Sequence, residues 1–287
     1  MLTVFKTLRS KHAALFLLIL CTIMLQACAT VPYTGRSQMM MVSPQEENAL
    51  GLKAAKQVLA KEPVLVGTAE AKLVEDVGKR IAAAARRADF RWEFHLIDRP
   101  VVNAFCLPGG KVFVYKGIFQ HAATPAELAT VMGHEIGHAI ARHGAERMSR
   151  AMMVQMGGNI AAIAVGVGTG SSAAAQAFGQ VYGAGANVGL ILPHSRDQEL
   201  EADRIGLILM AEAGYDPGAS ISFWQKMAAD NSGKRPPEFL STHPTGPHRI
   251  QAIQEFLPEA RKHYRAATGG AGGHTSDTKP VEPDAKP

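Results

Sequence analysis

Charge is sparse in this 287-residue chain: 19% of its residues are Asp, Glu, Lys or Arg, against 47% hydrophobic. That balance excludes a mainly unfolded chain, because apolar surface is plentiful and self-repulsion weak. Cysteine is scarcer still, and three of them cannot staple a miniprotein or fill a four-cysteine zinc ribbon. The net charge is +5 and the pI about 9.1, yet basic runs are no longer than pairs, as at Lys79-Arg80 and Arg86-Arg87. A concentrated phosphate-binding stripe is missing, so nucleic acid is not expected as a partner. No internal repeat is evident, which argues against a helical-repeat array. What remains is a chain with ample length and apolar content for a buried core.

Acidic residues are absent before Glu46, whereas Lys6, Arg9 and Lys11 precede an apolar run from Ala13 to Leu25 broken only by Thr22. A basic start, a short apolar core and small residues after it make a secretory signal. The run falls short of the ~20 residues that a spanning helix needs. It ends in Leu25-Gln26-Ala27-Cys28, which resembles a bacterial lipobox, so residues 1–27 are expected to be a lipoprotein signal peptide. Cys28 then carries the lipid, and two or more acyl chains suffice for stable attachment. Ala29 rather than Asp after Cys28 favours the outer membrane by resemblance to enterobacterial sorting rules. Loss of residues 1–27 removes three basic residues and no acidic ones, so 30 against 25 becomes 27 against 25, or +2.

Residues 28–42 read as a tether or first strand, 43–265 as the main domain, and 266–287 as a disordered tail rich in Gly, Thr, Pro, Asp and Lys. Ser43-Pro44-Gln45-Glu46 has the capping-box pattern and predicts a helix over 44–61, with another over 69–87. Strands are expected over 92–98 and, as a hairpin turning at Pro108-Gly109-Gly110, over 101–107 and 111–116. Thr124-Pro125-Ala126-Glu127 opens a long helix to about Arg150. Residues 151–192 carry no charge and are rich in Ala and Gly, which suits a helix pair, a lid or a membrane-touching loop. Further helices are expected from Ser195 to the stop at Gly214, from Asp216-Pro217 to Ala229, and from Pro247 to about Phe256.

The chemistry starts at His134-Glu135-Ile136-Gly137-His138, inside the helix opened at Pro125. Residues four apart share a helical face, so His134 and His138 can reach one ion. Glu135 lies beside that ion, where it can deprotonate a water that zinc has acidified to a pKa of about 7. The motif supplies two ligands and a general base. A catalytic zinc usually takes three protein ligands and keeps one position open. Ala141 and Gly144 stand where a metzincin has its glycine and third histidine, so that class is excluded. The next donors are in Glu199-Leu200-Glu201-Ala202-Asp203. Glu199 and Asp203 are again four apart, so one can bind the ion while the other orients a ligand histidine. Spacing alone leaves Glu201 as a further candidate.

His134 to His143 followed by Gly144-Ala145-Glu146-Arg147 resembles the HtpX/BepA/LoiP-type zinc metallopeptidases, related to the CAAX prenyl endopeptidases. The resemblance continues in Asn103-Ala104-Phe105 through Pro108-Gly109-Gly110, in Ser195-Arg196 with Glu199, Ala202 and Asp203, and in Ser241-Thr242-His243-Pro244 with Arg249-Ile250. It covers about Val31 to Ala260. It implies one zinc per chain, with Glu199 as the third ligand and Asp203 as the carboxylate behind a histidine. It also implies that Asn103, Ala104 and Phe105 belong to an edge strand that pairs with extended peptide. In BepA-like relatives the loop histidine, here His243, caps the zinc at rest, and Arg249 stands close behind it. The BepA repeat domain has no counterpart in this sequence. Cys106 within the strand reads as a small packing residue rather than a nucleophile. His143 falls off the ligand face of a continuous helix and reads as a structural or surface residue. His194 can approach the site without an assigned role, and His95, His121 and His248 show no partner.

The expected fold is α+β and mostly helical, a zincin-like domain with a small antiparallel sheet. The expected protein is a lipid-anchored zinc endopeptidase of the bacterial envelope, facing the periplasm, whose substrates are unfolded or misassembled envelope proteins. The rival expectation is a chaperone or assembly factor with a mostly shut zinc site.

Overall fold

The computed structural model describes residues 28–164, 194–230, 237–244 and 246–269. The expected signal peptide, most of the uncharged stretch over 151–192 and nearly all of the expected tail lie outside the described residues.

The described chain is mostly helical with a small sheet, as expected. A hairpin of β1 (Cys28–Thr30) and β2 (Ser37–Met39) leads into α1 (Pro44–Lys61), β3 (Val64–Leu65) and α2 (Ala69–Ala85). Next come β4 (Glu93–Ile97), β5 (Ala104–Leu107), β6 (Lys111–Tyr115) and a 3₁₀ turn over Lys116–Gln120. The helices α3 (Pro125–Ile140), α4 (His143–Ala164), α5 (Arg196–Glu212), α6 (Ala219–Ala229), α7 (Glu238–Thr242) and α8 (Pro247–Thr268) complete it. Strand order is β3-β4-β6-β5. The β5–β6 pair is antiparallel, as the hairpin at Gly109-Gly110 dictates, the β3–β4 pair is antiparallel too, and β4 and β6 run parallel in the middle. That leaves β5 at an edge.

The helix starts follow their caps. The Ser43, Thr68, Thr124 and Ser195 side chains each accept the backbone N–H three residues on, and Ser195 with Gln198 forms a complete capping box. In α2 the buried Val74, Val77, Ile81 and Ala85 form one apolar stripe against the core. By contrast α3 is buried on every side from Ala126 to Ile140 and forms the central post of the domain. It crosses α5 at contact distance because both helices carry glycine there. A Cβ on Gly137 would lie 2.7 Å from the Ala202 carbonyl oxygen, and one on Gly206 would lie 2.8 Å from the His134 amide nitrogen.

Three sequence expectations change. The long helix to Arg150 breaks after Ile140, because Arg142 adopts a left-handed conformation (φ 56°). Its guanidinium compensates for that conformation by donating to Glu47 at 2.7 Å and to the Val42 carbonyl at 2.9 Å. Second, residues 28–42 narrow from a tether or first strand to the paired strands β1 and β2. Val31 and Val42 are buried, Gln38 donates to the Ala141 carbonyl, and the Met41 N–H reaches the Ser149 hydroxyl. Third, α8 continues past Phe256, through Pro258, to Thr268, three residues into the expected tail. The buried Leu257 and Ala260 hold that continuation against the core, outweighing the lost hydrogen bond at Pro258.

Candidate active site

The post α3 and its partner α5 bring the site together. Four donor atoms converge from three elements: His134 and His138 on α3, Glu199 on α5, and His243 just after α7. All four residues are buried. His134 Nε2 lies 3.0 Å from His138 Nε2 and 3.1 Å from His243 Nδ1. Glu199 Oε1 lies 3.0 Å from His243 Nδ1 and 3.3 Å from His138 Nε2, and Glu199 Oε2 lies 3.4 Å from His134 Nε2. Zinc–nitrogen distances near 2.05 Å imply tetrahedral edges of about 3.3 Å, so the donor set has the right size for zinc. A second observation agrees. Glu135 Oε1 is a buried acceptor without a hydrogen bond, an arrangement that is costly unless a cation or water answers it.

Electrostatics point the same way. Burial and the Arg249 charge oppose protonation of His134, yet Asp203 and Glu199 prevail and push its pKa up to about 9. The pull that holds a proton on that ring favours a divalent cation in the same place. Burial and the charge on His134 hold His138 well below the usual range, which keeps it a neutral, ligand-ready imidazole. Glu199 stays ionised despite its burial, because the His243 charge and hydrogen bonds from His134 and His138 hold it well down. Glu135 moves the other way, raised chiefly by burial, as suits a proton acceptor. Its Oε1 lies 3.3 Å from His243 Nε2.

Behind the donors, Asp203 Oδ1 accepts from His134 Nδ1 at 2.8 Å, which leaves His134 Nε2 free to face the cluster. Arg249 grips Asp203 through Nε at 2.7 Å and Nη2 at 2.8 Å. Its Nη2 also lies 3.1 Å from His134 Nδ1, but two donors cannot share a bond and Asp203 takes that proton. The guanidinium stacks on Trp224, 3.5 Å from the ring centroid, and its Nη1 sits 2.8 Å from Glu199 Oε2. Of the two carboxylates four apart on α5, Glu199 faces the donor cluster and Asp203 stands behind His134.

Glu201 does not join them. It turns towards the N-terminal hairpin, where Thr34 donates to Oε1 and Arg36 Nε donates to Oε2 at 2.8 Å. Burial opposes its ionisation, but hydrogen bonds from His143, Thr34 and Arg36 bring its pKa to about 2. His143, placed off the ligand face by a continuous helix, is fully buried beside His138. Its Nδ1 lies 2.8 Å from His138 Nδ1, because the break at Arg142 folds the chain back. His194 stacks on His138 with ring centroids 3.8 Å apart and has a buried Nδ1 without a hydrogen-bond partner. No local pattern signals either contact, since each depends on where two helices meet. His121 lies 3.1 Å from Asp230 and His95 lies 3.3 Å from Glu93, both apart from the donor cluster.

On the sheet, Ala104 and Phe105 lie in the edge strand β5, and Asn103 sits one residue before it. Asn103 is buried, and its side chain caps the Ala104 N–H at 2.9 Å. The Tyr115 N–H bonds to the Asn103 carbonyl, so antiparallel alternation turns the Phe105 backbone towards β6 and the Cys106 backbone outward. Phe105 stacks on Phe113 at 5.0 Å. Burial pushes the Cys106 thiol well above its ordinary pKa, in keeping with a packing residue.

Comparison with known proteins agrees with this geometry. The sequence model described as Peptidase family M48 matches residues 68–257. The mitochondrial metalloendopeptidase OMA1 of Schizosaccharomyces pombe is 38% identical over 235 residues, 80% of this chain and 67% of its own length. OMA1 of Homo sapiens is 33% identical over 61% of this chain and 34% of its own. A beta-barrel assembly-enhancing protease of Yersinia pestis is 29% identical over 85% of this chain and 51% of its own. The chain thus spans two thirds of the first relative and about half or less of the other two.

Proposed function

This chain belongs to peptidase family M48, and from that premise we propose that its zinc metalloendopeptidase chemistry serves the bacterial cell envelope, cutting misfolded or unassembled envelope proteins. The observation that carries the chemistry is the convergence of His134, His138 and Glu199 with Glu135 alongside. Those three residues would hold the ion and Asp203 would orient His134. Zinc, when bound, polarises the scissile carbonyl and lowers the pKa of water. Glu135 takes the proton from the attacking water and hands it to the leaving amine. Peptide substrate adds to the open edge of β5, where the Cys106 N–H and C=O face outward. Main-chain pairing of this kind asks for an extended, unfolded segment and little sequence.

Two features support the envelope rather than the mitochondrion. Transit peptides are amphipathic and rich in Arg and Ser, whereas Ala13 to Leu25 is a plain apolar run followed closely by a lipobox-like Cys28. The Yersinia relative, by its name, enhances β-barrel assembly. Expressed with its leader in a bacterium, the chain should incorporate radiolabelled palmitate and fractionate with membranes. Cys28→Ala should lose the label and the membrane association while purified enzyme keeps its turnover. Label persisting on Cys28→Ala would remove the anchor from this reading.

One observation favours a second reading, an assembly factor with a mostly shut zinc site. His243 supplies a fourth donor where a working zinc needs an open position. His243→Ala is then expected to raise cleavage of an unfolded protein by up to about tenfold, the gain for a closed form about nine-tenths populated. A lower rate in a folded, zinc-loaded His243→Ala would instead make His243 a helper of the reaction.

A further inference from the structure

We infer that His143 and Glu201 are positioning residues of the metal centre, forming a hydrogen-bond relay of fixed direction that holds His138 with its Nε2 lone pair facing the ion. The inference rests on the zinc reading above and extends it to residues with no contact to the donor cluster except through His138.

The direction of the relay follows from which atoms can donate. Arg36 can only donate, and it does so to Glu201 Oε2 at 2.8 Å, while the Thr34 hydroxyl donates to Oε1. Glu201 is therefore an acceptor on both oxygens. His143 Nε2 lies 2.9 Å from Oε2, so it is the nitrogen that carries the proton. A neutral imidazole has one donor and one acceptor nitrogen, so His143 Nδ1 accepts. Its partner at 2.8 Å, His138 Nδ1, must then be the donor. That leaves the lone pair of His138 on Nε2, the atom 3.0 Å from His134 Nε2 and 3.3 Å from Glu199 Oε1.

The two ligand histidines of α3 are thus oriented by two carboxylates of α5, one directly and one through an intermediary. Asp203 reaches His134 Nδ1 itself, whereas Glu201 faces the N-terminal hairpin and needs His143 to bridge the gap. The kink at Arg142 puts His143 in that gap. Arg36 is itself pinned, its Nη1 and Nη2 lying 3.1 and 3.0 Å from the Glu146 carboxylate. The relay also argues against a second ion among His138, His143 and His194, because both nitrogens of His143 are already committed.

The test measures zinc affinity of the full chain by competition with a chromogenic chelator, together with the visible absorption of the cobalt-substituted protein. His143→Leu should weaken zinc binding 10–100-fold, the usual cost of losing a partner behind a ligand, and should alter the cobalt bands. His143→Gln should recover affinity to within about threefold of wild type, because an amide also carries an acceptor and a donor on one carbon. Wild-type affinity in a folded His143→Leu overturns the relay. Equal weakness in folded His143→Leu and His143→Gln also overturns it, since space rather than hydrogen bonding would then matter. A second zinc in the wild type that His143→Gln abolishes overturns it in favour of an ion. Should His143→Leu fail to fold, Glu201→Ala decides: it removes the acceptor of the His143 Nε2 proton, so affinity should fall several-fold, and an unchanged value in the folded variant overturns the relay. A wild type that binds no zinc overturns the zinc reading itself and the relay with it.

Discussion

Replacing Glu135 with Gln is expected to lower kcat/KM for an unfolded protein substrate by about 10²–10⁴-fold, the usual contribution of a positioned general base. Gln keeps the size of the side chain and its place on α3, but its amide cannot take a proton from water. Glu135 is the one acid of the site that burial raises and no hydrogen bond holds at Oε1, which leaves that oxygen free for the proton. It is absent from the four-donor cluster, so the variant should bind zinc as tightly as wild type. Activity and zinc content measured on the same sample separate the two roles. Wild-type turnover in a zinc-loaded Glu135→Gln would remove Glu135 from the mechanism. Because substrate should still bind, the same variant can trap bound proteins and so identify what the enzyme cuts.

The second large effect is expected at Gly206, which supplies no donor atom and packs against the backbone of the ligand helix. A Cβ there would lie 2.8 Å from both the Gly133 carbonyl carbon and the His134 amide nitrogen. These are backbone atoms in the most buried helix of the domain, and they cannot swing aside as a flexible side chain would. Gly206→Val therefore has to push α5 away from α3, at a cost of about 3 kcal/mol for overpacking. The same displacement carries Glu199 away from His134 and His138, which sit on the opposite helix. Both thermal stability and zinc stoichiometry should fall together, although no donor has been touched. If Gly206→Val melted with wild-type stability and held its zinc, close helix approach would not be what sets the distance between the donors.

These two predictions differ in how much of their basis the sequence displays. Glu135 is legible because its function needs only a helix. Thr124 and Pro125 announce that helix, and the period of 3.6 residues then places His134 and His138 on one side with Glu135 beside them. Gly206 is not legible in that way. A glycine in a helical pattern reads only as a weak helix former until the helix that crosses it is known. Glu199, Glu201 and Asp203 show the same boundary. Spacing offered all three as donors, and resemblance chose Glu199. The crossing of α3 and α5 turns Glu199 and Asp203 to the histidines, and Glu201 to Thr34 and Arg36. A continuous helix would keep His143 off the ligand face, and the left-handed Arg142 that breaks it is held by Glu47, 95 residues earlier in the chain.

By itself, then, the sequence determined the local objects: the capped helices, the hairpin at Gly109-Gly110, the pair of histidines with their base, and the family to which these motifs belong. Each depends on neighbours within a few positions, where caps, turn residues and helical period act directly on the backbone. The tertiary structure alone decided which of the two histidines Asp203 meets, that Glu201 turns away from the donors, and that the N-terminal hairpin reaches the site through Glu201 and His143. Those outcomes depend on the distance and angle between elements far apart in the chain. These are set by how closely glycine lets two helices approach and by where a buried charge finds its partner, and neither has a period to read.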